Sequence, residues 1–575
     1  MGGTGPATWV VGAALLAASL AVRLLFVHAT PDRDWAYSAA FKGDALLWLD
    51  YARAIQSATR FELGLPLHPP GTAYLVAWLW DGTAAGIPFL RATWALMGAL
   101  TVLLLWLAAA RAFGPAVGLL AGVLAALSTG LVVLSSSLNG EAPYLLLVVA
   151  SFLLIEPLRE RSSWPAAIAW GALNALACLI RVEHVLAFAL VTGWLAWRGW
   201  RGGQRRPALA AVGLAGACFA GLLIPWQVHV FRAIREFNTA PRAEAPGHAA
   251  ALAGIEARTA FLSWDRSAIQ ARDRLPAFAR RTASAFVAAT VAHRGGRGVR
   301  AEDLRILDDA FGATPRPLAP LVFVSAYGPL NFALANHPAS RGGFSRAALD
   351  QPPPLAGGRN RYPPELVAGS PPDLTLAYPP HARLVSDGYR LGASWIVENP
   401  RRFAALLTRK LAIFASGVTQ GLTGYGLPLG LSGLRRAVDM VAPSGGWAAA
   451  VWSVLILGAS AFGVIRGRLT PDLLPWLLYA LSKVVATALF FGYARQGALV
   501  LPVVLLLLAL AFAPWLPRGP ARTASLLLLT VLVLGAGVET VRFVSRPSLL
   551  VDGRVVKTID ATPPDLFLDQ LVEYR

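Results

Sequence analysis

Long apolar runs separated by short polar turns make up most of the chain. A transmembrane helix needs about 17–25 predominantly apolar residues to cross the hydrocarbon core of a bilayer. Runs that reach or approach this length occupy 7–27, 87–110, 116–134, 142–158, 208–231, 447–465, 472–492, 497–515 and 523–543. Another run, 164–197, is interrupted by charged residues at 181–184 and is interpreted as two short spans. The pattern predicts an all-α polytopic membrane protein with about 11–13 transmembrane helices.

Composition agrees with that architecture. Hydrophobic residues make up 56% and charged residues 14% of the 575-residue chain, against about 25% charged residues in an average soluble domain. The net charge is +19, and much of it is arginine at helix ends, where anionic lipids attract basic side chains. We therefore expect membrane lipids, and not nucleic acid, as partners of the basic residues. Cys178 and Cys218 lie in apolar runs and predict no disulfide or metal framework.

Arginines in the short loops predict the orientation of the helices, because cytoplasmic loops carry an excess of basic residues. Four arginine-rich loops are therefore placed in the cytoplasm, namely those with Arg159 and Arg161, with Arg198 to Arg206, with Arg466 and Arg468, and with Arg518 and Arg522. Counting crossings then places loop 28–66, turn 135–141, Arg181, region 232–402 and Arg495 together on the external face. The count requires that 69–80 does not cross, and that 403–418 is interfacial or pairs with a weak crossing near 421–446.

The same pattern divides the chain into four parts. Residues 1–231 form an N-terminal transmembrane module whose external loop, 28–66, contains interfacial helices, and 546–575 form a short polar tail. The other parts are an external, mixed soluble region, 232–402, with short helices near 266–290 and 300–311, and C-terminal transmembrane helices over 403–545. No internal repeat is evident, so an inverted-repeat transporter gains no support.

Loop 28–66 and the residues after it carry candidate chemistry. Asp44 lies among apolar and aromatic residues in a pattern typical of an amphipathic interfacial helix. A carboxylate at such a low-dielectric boundary can be tuned as a general base, although a lone loop aspartate is more often a solvated charge. His68 begins a His-Pro-Pro sequence, which either stiffens a helix entry or brings an imidazole to the headgroup plane. Lys42 is a further candidate to hold a phosphate there.

Four other charged residues lie at the predicted external ends of apolar runs. Glu141 opens a helix, where pairing with the helix dipole is sufficient to explain an acid. Arg181 and Glu183 interrupt an apolar stretch, and charges in that position pair with each other or serve function. Arg495 ends another span, where an arginine commonly extends toward the interface. A structural role and a role in a site are both open for these residues.

The order of these motifs resembles that of the GT-C superfamily of polyprenyl-phosphate-sugar-dependent glycosyltransferases. The nearest groups are the protein O-mannosyltransferase-like and lipid A aminoarabinose-transferase-like families. They share an acid in the first external loop, here Asp44, followed by a sequence such as His68-Pro69-Pro70, and an acid in the second external loop, here Glu141. Other matching positions are Arg181, Pro225-Trp226, Gly328 to Phe332, Asn336-His337-Pro338, Asn399-Pro400, Lys410 and Arg495. The similarity covers roughly residues 10–515.

The resemblance implies an inverting glycosyltransferase in the inner (plasma) membrane with its active site on the periplasmic face. Asp44, alone or with Glu141, would be the catalytic base. Donor phosphate and substrate would be bound by Lys42, His68, Arg181, Glu183 and Arg495. The implied partners are a polyprenyl-phosphate sugar, a lipid, glycan or protein acceptor, and membrane lipids.

The chain also departs from the family pattern. Protein O-mannosyltransferases have an Asp-Glu pair in the first loop, whereas this chain has Gly43-Asp44-Ala45. The second loop has no Asp-x-Asp and the eight histidines are scattered, so no metal or other cofactor is expected. The alternative is a transporter or flippase of a lipid-linked or small anionic substrate, which should bury ionisable residues near mid-span or use broken helices in matched halves.

Overall fold

The computed structural model describes residues 6–29, 44–59, 65–239, 318–319, 322–344, 379–419, 446–515, 548–551 and 554–558. Nearly all of these residues are helical. The helices of the first part are α1 (Pro6–Ala29), α2 (Ala45–Gln56), α3 (Gly71–Leu79), α4 (Ile87–Phe113), α5 (Pro115–Leu127), α6 (Thr129–Leu134), α7 (Glu141–Phe152), α8 (Ile155–Arg161), α9 (Trp164–Ile180), α10 (His184–Arg201) and α11 (Arg205–Thr239). Those that follow are α12 (Tyr327–Ala335), α13 (Pro379–Glu398), α14 (Pro400–Thr419), α15 (Gly446–Gly467), α16 (Leu474–Leu489), α17 (Ala494–Ala498) and α18 (Leu501–Phe512).

Short elements complete the fold. Two 3₁₀ helices cover Ala84–Gly86 and Ala513–Trp515. The strands β1 (Ser548–Val551) and β2 (Arg554–Thr558) pair antiparallel, with an irregular register between Leu549 and Leu550. The sequence analysis did not predict this hairpin within the polar tail, although its valines favour a strand.

The apolar runs form membrane-length helices. Within the described ranges, five are long and apolar enough to cross a membrane: Trp9–Val27, Ile87–Phe113, Glu141–Arg161, Arg205–Thr239 and Ala450–Gly467. Shorter apolar helices occupy Pro115–Leu127, Trp164–Ile180, Leu474–Leu489 and Leu501–Trp515. The predicted all-α polytopic membrane architecture is therefore confirmed. The predicted span 523–543 and the predicted helices near 266–290 and 300–311 lie outside the described residues.

Glycines allow the helices to pack closely, as is usual for helix contacts in membranes. A Cβ at Gly171 of α9 would lie 2.3 Å from the carbonyl oxygen of Ala215 in α11. One at Gly463 of α15 would lie 2.1 Å from the carbonyl oxygen of Leu507 in α18. Both distances are too short for any side chain, so these two helix pairs need a glycine at the crossing.

The segment 69–80 contains a helix that is too short to span a bilayer. α3 has nine residues and is about 13 Å long at 1.5 Å per residue, against about 30 Å of hydrocarbon. It packs on α2 and on the end of α9. This geometry agrees with the requirement that 69–80 does not cross.

Part of region 232–402 packs beside the end of loop 28–66. The backbone N–H of Ala326 donates to the carbonyl of Pro66 at 2.8 Å. Trp226 of α11 donates through Nε1 to the carbonyl of Val324 at 2.7 Å. Residues 322–344 therefore lie at the same end of the helical body as the segment that begins at Leu65.

Candidate active site

The start of α2 places Asp44 at the edge of the helical body. Ala45, Leu49 and Ala52 form the buried face of this helix, against α3 and α4, whereas Asp50 and Arg53 on its other face are exposed. α2 is thus the predicted amphipathic helix, and Asp44 is the residue immediately before its first turn. The backbone N–H of Asp44 donates to Asn139 Oδ1 at 3.0 Å, which ties α2 to the turn before α7.

Arg495 joins the two acids that the sequence analysis singled out. Its Nη2 donates to Asp44 Oδ2 at 2.7 Å, and its Nε lies 3.1 Å from Glu141 Oε1. The Asp44 side chain is 46% exposed, while those of Arg495 and Glu141 are 13% and 1% exposed. One guanidinium therefore bridges an accessible carboxylate and a fully buried one.

Arg181 extends the same network inward. Its Nη1 donates to Glu141 Oε1 at 2.8 Å and its Nε donates to Glu183 Oε1 at 2.7 Å. Its Nη2 donates to the Gln496 side chain at 3.0 Å, beside Arg495. Lys483 approaches Glu183 Oε1 at 3.4 Å from α16. Three carboxylates and three cations thus form one connected cluster, called here the ion-pair network: Asp44, Glu141, Glu183, Arg181, Lys483 and Arg495.

Local structure explains why these side chains converge. Glu141 is the first residue of α7, where the helix dipole favours an acid. Arg181 and Glu183 lie in the break between α9 and α10. Arg495 lies in the first turn of α17. Helix α14 can pack closely on this short helix because Gly417 and Gly497 have no side chain at the contact, where a Cβ would collide with the facing backbone. Glu141, Arg181, Glu183 and Arg495 therefore all lie at or beside the ends of helices.

Neighbouring charges favour the ionised forms of Asp44, Glu183 and Arg181, although burial opposes them. Partial burial would raise the pKa of the Asp44 carboxyl, but Arg495, and to a smaller extent His68 and Arg181, lower it below its usual range. Burial would likewise raise the pKa of Glu183, yet Arg181 and Lys483 lower it well below that of an ordinary glutamate. The pKa of Arg181 is raised because Glu183 and Glu141 outweigh its burial.

One oxygen of Glu141 is left without a hydrogen bond. Oε1 accepts from Arg181 and lies close to Arg495, whereas Oε2 is buried and has no hydrogen-bond partner among the described residues. Buried carboxylate oxygens are normally paired, so Oε2 is an unsatisfied acceptor in the ion-pair network.

His68 lies against aromatic rings next to this network. Its ring is 5.9 Å from Trp48 of α2 and 4.7 Å from Tyr327 of α12, measured between ring centroids. The Pro-Pro sequence after it leads directly into α3, whose Gly71 packs on the backbone of Leu179 just before Arg181. The structure thus brings His68 near enough to Asp44 to help lower the pKa of its carboxyl, while Lys42 lies outside the described residues.

Three members of this region were not identified from the sequence. Asn139 positions Asp44, and Gln496 accepts a hydrogen bond from Arg181. Lys483 is fully buried in α16, with its ammonium 4.6 Å from the Tyr144 ring centroid. A single lysine in the apolar run 472–492 was the available signal, because ionisable residues inside spans usually pair or function.

Lys410 and Asn336, two of the positions that carry the family resemblance, brace the segment before Arg495. Lys410 is fully buried and donates through Nζ to Asn336 Oδ1 at 2.9 Å and to the carbonyl of Ala488 at 3.4 Å. Asn336 in turn donates to the carbonyl of Leu489 at 2.9 Å. These carbonyls end α16, so the cation and the amide cap the negative end of its dipole.

A second charged cluster lies at the far end of the span that Glu141 begins. Arg159 of α8 donates to Asp472 at 2.5 Å and to Glu160 at 2.7 Å. These residues line a cavity of about 240 Å³ together with Arg111, Glu156 and Trp476. No group of three or more histidine, cysteine, aspartate or glutamate side chains suited to a metal ion occurs in the part of the chain that the structure describes.

Comparison with known proteins agrees with the motif order. Residues 67–226 match the family model described as dolichyl-phosphate-mannose-protein mannosyltransferase. The predicted resemblance to the GT-C glycosyltransferases is confirmed. The matched segment contains His68, Glu141, Arg181 and Glu183, whereas Asp44 and Arg495 lie outside it. No curated protein matches the sequence.

Solved structures of GT-C enzymes are also similar to this chain. The oligosaccharyltransferase of Archaeoglobus fulgidus in complex with Zn and sulfate has 12% identity and a TM-score of 0.37, with 92% of this chain and 53% of that chain covered. The same enzyme tethered with an acceptor peptide has 10% identity and a TM-score of 0.38, with coverage of 93% and 55%. ArnT from Cupriavidus metallidurans bound to undecaprenyl phosphate has 15% identity and a TM-score of 0.32, with coverage of 88% and 78%. The chain spans about half the length of the archaeal enzyme.

Proposed function

We propose that this protein is an integral-membrane inverting glycosyltransferase. It moves a sugar from a polyprenyl-phosphate donor to an acceptor hydroxyl on a lipid, glycan or protein. The observation that carries this proposal is the contact between the half-exposed Asp44 carboxylate and Arg495, with Arg181 and His68 beside them. A base and several cations at the ends of apolar helices are what transfer from a lipid phosphate requires.

The chemistry needs one base and one stabilised leaving group. Asp44 accepts the proton of the acceptor hydroxyl while the hydroxyl oxygen attacks the anomeric carbon opposite the phosphate. The bond between that carbon and the phosphate oxygen breaks, and the polyprenyl phosphate leaves with the electron pair, which inverts the anomeric centre. Arg495, Arg181, His68 and Lys42 are proposed to stabilise the charge on the departing phosphate. The protonated Asp44 then returns its proton to water.

Glu141 and Glu183 are proposed to position the arginines. Glu141 is 1% exposed and its Oε1 lies within 3.1 Å of both Arg181 and Arg495. Glu183 lies between Arg181 and Lys483. Arg181 and Lys483 lower the pKa of Glu183, and Glu141 is almost fully buried, so neither acid competes with the more accessible Asp44 as the base.

The proposed site faces the exterior of the plasma membrane. The motivation is the arginine content of the opposite loops, including the Arg198 to Arg206 loop. Nucleotide sugars are not normally supplied on the external face, whereas a flipped lipid-linked sugar is presented there at the bilayer surface. The donor is therefore proposed to be lipid-linked.

Buried cations in apolar helices also bear on the transporter alternative. Arg23 of α1 and Lys483 of α16 are both fully buried. Lys483, however, lies at hydrogen-bonding distance from Glu183 of the ion-pair network, and Arg23 donates to Ser135 in the turn before Glu141. Both cations thus connect to the polar structure around the site, which favours the enzyme.

Reconstitution tests the proposal directly. Purified protein in liposomes free of prenyl phosphates is supplied with either polyprenyl-phosphate sugars or nucleotide sugars, and a cell extract provides acceptors. We expect covalent transfer, detected by mass spectrometry, only with the lipid donor and only when Asp44 is intact. Transfer from a nucleotide sugar would overturn the donor assignment, and substrate movement across the liposome without any covalent product would favour the transporter.

A further inference from the structure

We propose that the donor phosphate takes Arg495 away from Asp44, so that binding of the donor itself releases the base. This inference rests on the proposed function and adds an exchange of ion pairs to it. It concerns the free enzyme's pairing of Asp44 with Arg495, which the reaction has to break.

The charge balance of the ion-pair network motivates the exchange. Its three carboxylates and three cations compensate one another, and all are held within 3.4 Å of a partner. A donor phosphodiester brings one more negative charge to this place. Because an unpaired charge in a partly buried site is costly, a phosphate that enters this network has to bind one of its cations, and each of those is already engaged with a carboxylate.

Exposure indicates which pair opens. Asp44 is 46% exposed, whereas Glu183 is 22% and Glu141 1% exposed. A carboxylate that loses its cation regains solvation most easily where water already reaches it. The pair between Asp44 and Arg495 is therefore the least costly one in the network to separate.

The geometry of Arg495 allows the exchange without loss of its anchor. Its Nε faces the buried Glu141 at 3.1 Å, while its Nη2 faces Asp44 at 2.7 Å. The terminal nitrogens can turn to a phosphate oxygen while Nε stays on Glu141. A guanidinium suits this task because its fork of donors matches carboxylate and phosphate alike. The Gln496 side chain and Arg181 remain linked beside it.

The exchange has a functional consequence. In the free enzyme Arg495 occupies Asp44 Oδ2 and suppresses its basicity. After the exchange, both carboxylate oxygens can face an acceptor hydroxyl, and the carboxylate is a stronger base. Activation of the acceptor thus follows occupation of the donor site.

Binding of a polyprenyl phosphate without sugar tests this inference in purified, full-length protein in nanodiscs. We expect D44N to bind the phosphate about five- to tenfold more tightly than the wild type, because Arg495 no longer has a competing carboxylate. D50N, which removes an exposed acid of the same helix, is the matched control and should change the affinity little. The corresponding prenol, without phosphate, should show no difference between the variants.

A double-mutant cycle separates the exchange from a simple gain of positive potential. D44N is repeated in an R495Q background, with R495M as the replacement if R495Q does not fold. The tightening should disappear in the background that lacks Arg495. An equal tightening in both backgrounds, or none in the first, would refute the exchange while leaving the proposed enzyme intact. Failure of every variant, including the wild type, to bind polyprenyl phosphate would instead refute the proposed donor and the exchange with it.

Discussion

The two ends of the span Glu141–Arg161 carry charged clusters of different construction. At one end, Glu141 belongs to the ion-pair network, which links α7, the break between α9 and α10, α16, α17 and the start of α2. At the other end, Arg159 binds Asp472 and Glu160, whose side chains are 30% and 51% exposed. Both clusters combine arginine with carboxylates. The ion-pair network contains the fully buried side chains of Glu141 and Lys483, whereas every side chain of the Arg159 cluster is at least 11% exposed.

The difference supports the proposal that the ion-pair network is a reaction centre, whereas the Arg159 cluster only joins two parts of the surface and is called here the surface clamp. Ion pairs at the surface contribute about 0–1 kcal/mol each, and the Arg159 cluster needs no further role than joining α8 to the residues before α16. In the ion-pair network, buried charges are costly unless paired, and one acid, Asp44, stays accessible at its edge. Charged groups gathered in this way on several helices are typical of functional sites, which agrees with the proposed chemistry.

The largest expected effect is the loss of transfer in D44N. Removal of a general base typically lowers the rate by about 10²–10⁴-fold, and the amide cannot accept the acceptor proton. Transfer by the purified variant is measured with saturating donor, together with thermal unfolding to show that it is folded. D50N on the exposed side of α2 and D472N at the other cluster serve as controls and should retain activity. Near-normal turnover by D44N would remove Asp44 from the role of base and make Glu141 the next candidate.

E141Q should lower activity and stability together. Removing one partner of a buried pair costs about 3–5 kcal/mol because the remaining charge is left uncompensated, and here two arginines lose the same carboxylate. The variant should therefore unfold at a lower temperature than D44N, whose acid is half exposed. A stable but inactive E141Q would contradict the positioning role and indicate direct participation in the reaction.

K483M should reduce kcat by roughly tenfold, about 1.4 kcal/mol. Methionine fills the volume but leaves Glu183 with Arg181 alone, so the guanidinium is less firmly oriented toward Glu141. S482A is the matched control, since Ser482 is equally buried and bonds only within its own helix. Equal losses in K483M and S482A would show that α16 is merely sensitive to substitution, and that Lys483 has no link to the site.

The pH dependence of kcat/KM for the donor should reflect the lowered pKa of Asp44. A base with a lowered pKa stays ionised to more acidic pH, so activity should fall only below the usual range of an aspartate, about 3.9. In R495Q the largest attractive charge is absent and the acid limb should move to higher pH. The profile is measured with a donor concentration far below KM, and an acid limb that is the same in both proteins would contradict the pairing.

The sequence was sufficient to single out most members of the ion-pair network but not to pair them. Asp44, Glu141, Arg181 and Arg495 stand out because they interrupt or flank apolar runs, where charges are rare. Asp44 and Arg495 are 451 positions apart, and their contact depends on how α14 packs on α17. Pattern analysis has no access to such packing, which glycines such as Gly417 make possible.

Lys483 was missed for the opposite reason. It lies within a run that was interpreted only by its average hydrophobicity, and one lysine does little to that average. Its partner, Glu183, was identified because the break at 181–184 disturbs the apolar pattern. A single charged residue inside an apolar run is therefore as informative about a site as the charges at the ends of the run, because a buried charge needs a partner.

The smallest expected effect belongs to the second cluster. D472N removes a carboxylate from Arg159 but leaves Glu160 at 2.7 Å, so the cation keeps a partner and water reaches the pair. We expect a loss of at most about 1 kcal/mol in the free energy of unfolding and no change in transfer. Thermal unfolding at low and high salt measures the first quantity, since screening should weaken a surface pair, and the reconstituted assay measures the second. A loss of transfer in D472N as large as that in K483M would contradict the distinction between the two ends, because it would couple the surface clamp to the reaction centre.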